Sequence, residues 1–177
     1  MDLVSVVIPT LNRQQSLQRA VQSVRQQALP DDVGVEIIVI DNSADRSARS
    51  VLDTLEAADG WPLRHFSEPC PGVANARNRG VAAATGRWVA FLDDDEEAAE
   101  GWLASLVRVA RQTGADAVFG PVSAKADGAA DIGPLAPYFS RSIDRPDGAD
   151  ITDLSAYLGT NNSMFDLATL GQLGYVP

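Results

Sequence analysis

Trp88-Val89-Ala90-Phe91-Leu92-Asp93-Asp94-Asp95-Glu96 runs five apolar residues directly into four acids. An unbroken apolar run of this length predicts a strand buried on both faces, as in a parallel sheet. Its C-terminal end, where open α/β sheets bind their ligands, carries three aspartates. Carboxylates packed that closely repel one another unless a cation or water separates them. A hard divalent cation, Mg2+ or Mn2+, suits such oxygens and brings phosphate oxygens with it. Asp93 and Asp95 are therefore candidate ligands for a metal or a nucleotide. Glu96, Glu97 and Glu100 read instead as the solvated acidic start of a helix, favoured by its dipole.

Working outward, Val4 to Ile8 is a β-rich run that Pro9 is expected to stop. A helix is expected over Gln14 to Gln27, with Leu17, Ala20, Val21 and Val24 on one buried face. Val35 to Ile40 predicts a second strand, and Ala48, Val51, Leu52 and Leu55 a second helix. Leu63 to Ser67 is a weaker third strand; Val73 to Ala84 is a third helix that Gly86 stops. Trp102, Leu103, Leu106, Val107 and Ala110 mark a fourth helix ending at Gly114, and Ala117 to Gly120 a fifth strand. Residues 121–156, with Pro121, Pro134, Pro137 and Pro146 and no period, form a long excursion. Tyr157 to Phe165 reads as a returning strand, and Asp166 as the N-cap of a last helix. Strands alternating with amphipathic helices predict an α/β fold, a Rossmann-like βαβ domain with a mainly parallel central sheet.

Right-handed crossovers bring the C-terminal ends of parallel strands to one edge. Thr10 and Asn12, Asp41 and Asn42, Glu68, and Asp93 to Asp95 all fall there. Core packing does not require polar residues at that edge, so their shared address argues for a site. Asp41 can accept a hydrogen bond from a base or ribose, or cap the second helix. Gly72-Val73-Ala74-Asn75-Ala76-Arg77-Asn78-Arg79-Gly80 opens the third helix. Its glycine permits close backbone approach, and its first amides make an anion site. Arg77 adds a charged fork suited to phosphate, or else covers the helix as a surface residue. Arg13 can reach a nucleobase or phosphate or stay on the surface; Arg79 faces solvent or pairs with an acid.

At 177 residues the chain is long enough for one domain with a real core. A net charge of −10 argues against a nucleic-acid partner and offers no polybasic membrane contact. No apolar stretch approaches the ~20 residues of a membrane span, and no signal-type segment opens the chain. One cysteine, Cys70, excludes an internal disulfide and a zinc cluster and reads as a loop thiol. The chain reads as cytoplasmic, with peripheral membrane association compatible. There is no G-x-x-x-x-G-K-[ST] loop, no G-x-G-x-x-G fingerprint and no nucleophile elbow. The sole histidine, His65, falls in the weak third strand as a structural or edge residue. The acids also lack the alternating pattern of a calcium loop. A phosphoacceptor module also gathers carboxylates at strand ends, but Lys125, the sole lysine, lies five residues past Gly120.

Taken together, these segments resemble the inverting family 2 glycosyltransferases of the glycosyltransferase A type. The matching stretches are Val4 to Arg13, Glu36 to Asn42, Gly72 to Gly80, Trp88 to Glu96 and Gly159 to Phe165. The resemblance implies a nucleotide-sugar donor, a UDP- or GDP-sugar, bound with Mn2+ or Mg2+. It implies that Pro9, Thr10, Asn12 and Arg13 line the nucleoside pocket and that Asp41 holds the base. Arg77 would lie near the pyrophosphate. Asp93-Asp94-Asp95 would be the D-x-D motif, with Asp93 toward ribose or metal and Asp95 on the metal. Asn161 and Asn162 would sit near the acceptor or the sugar, and the acceptor would be a glycan or a lipid-linked molecule. One domain is expected over 1–177, with 1–120 the nucleotide-sugar-binding portion and 121–177 an incomplete acceptor-side portion.

The family's general base lies in a Glu-Asp pair downstream of the segment resembling Gly159 to Phe165. Asp166 is the single acid between Asn162 and Pro177, so that base is expected beyond Pro177. Two readings stay open at this point: the donor half of a sugar transferase, or a non-catalytic nucleotide-sugar-binding remnant.

Overall fold

The structure, a computed structural model, describes residues 1–125, 133 and 136–174. Six strands make one sheet: β1 (Asp2–Thr10), β2 (Val33–Asp41), β3 (Leu63–Ser67), β4 (Trp88–Phe91), β5 (Ala117–Phe119) and β6 (Ser163–Asp166). Their order is β3-β2-β1-β4-β6-β5. The pairs β1–β2, β1–β4 and β2–β3 are parallel; β6 runs antiparallel to both β4 and β5. The helices are α1 (Gln14–Arg25), α2 (Arg49–Glu56), α3 (Val73–Ala83), α4 (Trp102–Thr113), α5 (Ala136–Phe139) and α6 (Leu167–Leu173). Among the described residues no helix is long and apolar enough to cross a membrane.

Strand alternation sorts the core into two layers. Val4, Val6 and Ile8 pack against Leu17, Val21 and Val24 of α1, Leu52 and Leu55 of α2, and Leu103 and Leu106 of α4. Val7, Ile38, Ile40, Val89 and Phe91 face the other way, onto Ala76 of α3 and Leu170 of α6. On that second face α3 lies very close to β1. A Cβ at Gly80 would stand 2.3 Å from Val7 Cγ1, so glycine is required there. Glu36 is buried in β2: its carboxylate accepts from Ser5 Oγ at 2.6 Å, from the Thr85 amide and hydroxyl at 2.8 Å each, and from Arg64 at 2.5 Å.

Three sequence expectations needed correction. Pro9 does not stop β1, which continues to Thr10 beside Asp41 of β2. Val7 O accepts from Leu92 N while Thr10 O accepts from Asn42 N. Position 9 therefore points past the end of β4, and its missing N–H breaks no ladder. The returning strand is shorter than Tyr157 to Phe165: Thr152–Tyr157 is a 3-10 helix, and β6 begins only at Ser163. Asn162 sits at φ 49° with its side chain bonded away from the sheet, which delays the strand. Third, α4 starts at Trp102 after a left-handed Gly101, so Glu96, Glu97 and Glu100 precede the helix in a loop. Asp166 does cap α6, accepting from the Thr169 amide at 3.1 Å.

Candidate functional site

The parallel register brings the ends of β1, β2, β3 and β4 to one edge, and the loops leaving them line a cleft of about 290 Å3. Pro9, Thr10, Leu11, Arg13, Asn42, Gly72, Val73, Asp93, Asp94 and Asp95 all contribute to its wall. Three residue types meet there. Leu11 and Val73 leave large apolar side chains exposed. The start of α3, at Gly72 with φ 124°, has no side-chain cap, so its first amides are open to an anion. The third element is the acidic turn after β4.

Within that turn the three aspartates differ. Asp94 is 7% exposed at its side chain. Its Oδ2 accepts from Thr10 Oγ1 at 2.8 Å and Leu11 N at 3.3 Å, and its Oδ1 from Arg13 Nη1 at 3.1 Å. It thus braces the β1 loop while lining the cleft. Asp95 is 54% exposed and accepts from Arg13 Nη1 at 2.5 Å. Asp93 accepts from Arg77 Nη2 at 2.7 Å. Half-buried Asp93 and exposed Asp95 thus present hard carboxylate oxygens to the cleft, a donor set that fits Mg2+ or Mn2+.

The other candidate residues divide between the cleft wall and the elements behind it. Asp41 is buried, with Oδ1 accepting from the Ser43 amide and hydroxyl and Oδ2 from the Ala48 amide; it shapes the β2–α2 loop and leads into α2. Asn42 takes the cleft position instead. It donates to Glu68 O and Cys70 O and accepts from Gly72 N at 2.9 Å, tying β2 to the start of α3. Arg77 is buried behind Asp93 with its Nε unpartnered among the described residues, so it orients that carboxylate rather than lining the cleft. Asn12, left-handed at φ 57°, accepts from Ser47 Oγ. Arg79 stacks over Phe66.

Asn161 and Asn162 also divide. Asn162 accepts from Trp102 Nε1 at 2.6 Å and donates to Pro121 O, a latch with no polar atom left over. Asn161 donates to Glu96 Oε1 at 2.6 Å and accepts from Arg141 Nη1 at 3.1 Å. It borders a second cavity, of about 660 Å3, whose wall also includes Tyr138, Phe139 and Leu158. Burial and the charges of Asp93 and Asp95 push the Glu96 carboxyl above its ordinary value, against the bonds from Asn161 and the Asp93 amide. Burial likewise lowers Arg141, whose hydrogen-bond partners are neutral oxygens. Neither Glu96 nor Arg141 was singled out as a site residue from sequence. Glu96 directly follows the aspartates, but its bond to Asn161 is non-local; Arg141 lies in a segment without period. Away from the cleft, His65 of β3 stands 3.4 Å from Asp53 Oδ1 and 3.3 Å from Glu56 Oε2.

A mostly parallel six-stranded sheet with helices on both faces and an acidic cleft at its C-terminal edge is an α/β domain of the glycosyltransferase A type. The chain belongs to glycosyl transferase family 2, whose sequence profile matches residues 5–162. It is 36% identical over 132 residues to the succinoglycan biosynthesis protein ExoM of Rhizobium meliloti, covering 75% of this chain and 41% of that protein. It is 34% identical over 114 residues to a GalNAc(5)-diNAcBac-PP-undecaprenol beta-1,3-glucosyltransferase of Campylobacter jejuni, covering 63% and 36%. Among solved structures it is similar to S. aureus TarS 1–349 in complex with UDP-GlcNAc, with TM-score 0.73, 17% identity, and 100% and 49% coverage. It also resembles the mannosyltransferase PcManGT of Pyrobaculum calidifontis in complex with GDP-Man and Mn2+, with TM-score 0.66, 22% identity, and 98% and 47% coverage. At those identities the structural likeness is one of fold. The chain spans under half the length of each of these four proteins.

Proposed function

We propose that this chain is the donor-binding part of an inverting glycosyltransferase. It would move a sugar from a UDP- or GDP-sugar to a hydroxyl of a glycan or lipid-linked acceptor in glycan biosynthesis. The observation that carries this reading is the convergence of three features on one cleft: the Asp93 and Asp95 carboxylates, the uncapped start of α3, and an apolar wall at Pro9, Leu11 and Val73. The apolar wall suits a nucleobase, and the α3 amides suit phosphate oxygens. Asp93 and Asp95 would hold Mn2+ or Mg2+, which when bound neutralises charge developing on a departing nucleoside diphosphate. The TarS and PcManGT complexes with UDP-GlcNAc and with GDP-Man and Mn2+ support this donor class.

In the proposed reaction the acceptor oxygen forms a bond to the anomeric carbon on the face opposite the leaving group. The bond from that carbon to the diphosphate oxygen breaks, and the diphosphate leaves with the electron pair. The hydroxyl proton passes to a carboxylate base, which the family resemblance places downstream of the segment resembling Gly159 to Phe165. Asn161, between the acidic turn and the larger cavity, lies on the acceptor side in this reading. Titration calorimetry of UDP and GDP with and without Mn2+ tests it. Metal-dependent binding in the micromolar-to-millimolar range is expected, and no binding by the folded chain overturns it.

A further inference from the structure

Arg13 occupies an unusual place for a cleft residue. A single nitrogen, Nη1, donates both to Asp94 Oδ1 at 3.1 Å and to Asp95 Oδ2 at 2.5 Å. Asp94 is locked by Thr10 and Leu11, so it can neither follow the guanidinium nor turn away. Asp95 is the exposed partner. A divalent cation sits about 2.1 Å from a ligating carboxylate oxygen. A divalent cation ligated by Asp95 would bring a second positive charge to the carboxylate that Arg13 already neutralises, and the two charges repel.

The two arginines of the acidic turn are unlike. Arg77 is 11% exposed at its side chain and held beside Asp93. Arg13 is 53% exposed, and its pair with Asp95 is of the solvent-screened kind that is readily exchanged. The Arg13 carbonyl is fixed, because it accepts from Leu17 N at 2.9 Å at the start of α1. The side chain can therefore swing about a pinned backbone while staying on the cleft wall, which Gly72 and Val73 also line.

Resting on the proposed donor-binding function, we infer that Arg13 is an exchangeable counter-ion. It neutralises Asp95 until a divalent cation displaces it, and the released guanidinium then grips the diphosphate that arrives with the metal. Arg77 stays on Asp93 throughout. The exchange couples the two ligands: the metal frees the arginine, and the diphosphate retains it in its new position. Arg13 thus opposes metal binding alone and favours metal and nucleotide together.

The test separates those two effects by sign. Mn2+ alone, and then UDP and GDP at saturating Mn2+, are titrated calorimetrically into the wild-type chain and into Arg13→Met, which keeps the apolar stem. Removing the competitor is expected to tighten Mn2+ alone by roughly three- to five-fold, the factor an exposed ion pair carries. The same change is expected to weaken nucleotide binding at saturating Mn2+ by about tenfold or more. Arg19→Met, which removes a charge that pairs with Glu97, controls for net charge, and thermal melts confirm that both variants fold. Unchanged or weaker Mn2+ binding in Arg13→Met overturns the exchange, as does unaltered nucleotide binding. A wild-type chain that binds nucleotide without any Mn2+ response also overturns it while leaving donor binding intact. A wild-type chain that binds neither ligand overturns the function and the exchange together.

Discussion

The side-chain amide of Asn161 donates to Glu96 Oε1 at 2.6 Å, joining the acidic turn after β4 to the segment that leads into β6. Glu96 Oε2 meanwhile accepts from the Asp93 amide at 3.3 Å, and Glu96 N donates to Asp93 O at 3.1 Å. One carboxylate thus holds the shape of the turn from inside and fixes it to the segment before β6. Glu96→Ala leaves the Asn161 and Asp93 donors without this acceptor. A stability loss of about 1–2 kcal/mol and a roughly tenfold weaker Mn2+-nucleotide affinity are expected. Glu96→Gln, which keeps an acceptor oxygen, is expected to lose less of both. Denaturant melts and calorimetry read the pair, and wild-type affinity in Glu96→Ala would show that the clamp does not shape the turn.

Neighbouring aspartates are expected to fail in opposite ways. Asp95→Ala removes an exposed carboxylate whose hydrogen-bond partner among the described residues is Arg13. The fold should hold within about 0.5 kcal/mol, while the Mn2+ dependence of nucleotide binding disappears. Asp94→Ala strips the acceptor from Thr10 Oγ1, Leu11 N and Arg13. That change should cost about 3 kcal/mol of stability. An Mn2+ response that survives in Asp95→Ala, or an unchanged melt in Asp94→Ala, reverses these roles.

The same contrast marks the limit of what the sequence discloses. An apolar run followed by acids is a local pattern, so the buried β4 and the address of Asp93 to Asp95 follow from period and order alone. Which aspartate is braced depends on Thr10 and Leu11, more than eighty positions away, and no local period carries that. Asp41 illustrates the same point: a carboxylate at a strand end reads as a base or ribose contact or as a cap of the second helix, and its bonds from the Ser43 and Ala48 amides are not visible in any local pattern. The antiparallel slot of β6 between β4 and β5 is likewise a tertiary outcome. Its apolar stretch signals a strand but not its neighbours, and the Asn162 turn shortens it.

Glu36 should give the fold a measurable acid sensitivity. Burial works to raise its carboxyl, but the bonds from Ser5, Thr85 and Arg64 outweigh burial and hold it below the ordinary 4.5. The folded form therefore takes up its proton at lower pH than the unfolded form. Its contribution is complete above the unfolded value and is lost as pH falls through the folded one. Glu36→Gln should lower stability at pH 7 by about 1–3 kcal/mol and flatten the acid limb of a stability-against-pH curve. An acid limb as steep as that of the wild type would assign the sensitivity to other carboxyls.

The same small substitution should act with opposite sign on two helices that cover one face of the sheet. Gly171 lies within α6, and a Cβ added there would meet no atom within 4 Å. Gly171→Ala therefore adds helix propensity without a clash and should stabilise by about 0.5–1 kcal/mol. Gly80 lies within α3, where the added methyl would stand 2.3 Å from Val7 Cγ1 and 3.1 Å from Cγ2. Val7 is fully buried between α3 and the sheet, so α3 must move outward instead. The expected cost is about 1–3 kcal/mol. Movement of α3 also shifts Gly72 and Arg77, which form the cleft-lining start of the helix and the support of Asp93. Gly80→Ala should thus weaken nucleotide binding as well as stability, whereas Gly171→Ala should leave binding unchanged. Melts and calorimetry on both variants decide the matter: if Gly80→Ala keeps wild-type nucleotide affinity, the close seating of α3 on β1 serves packing alone.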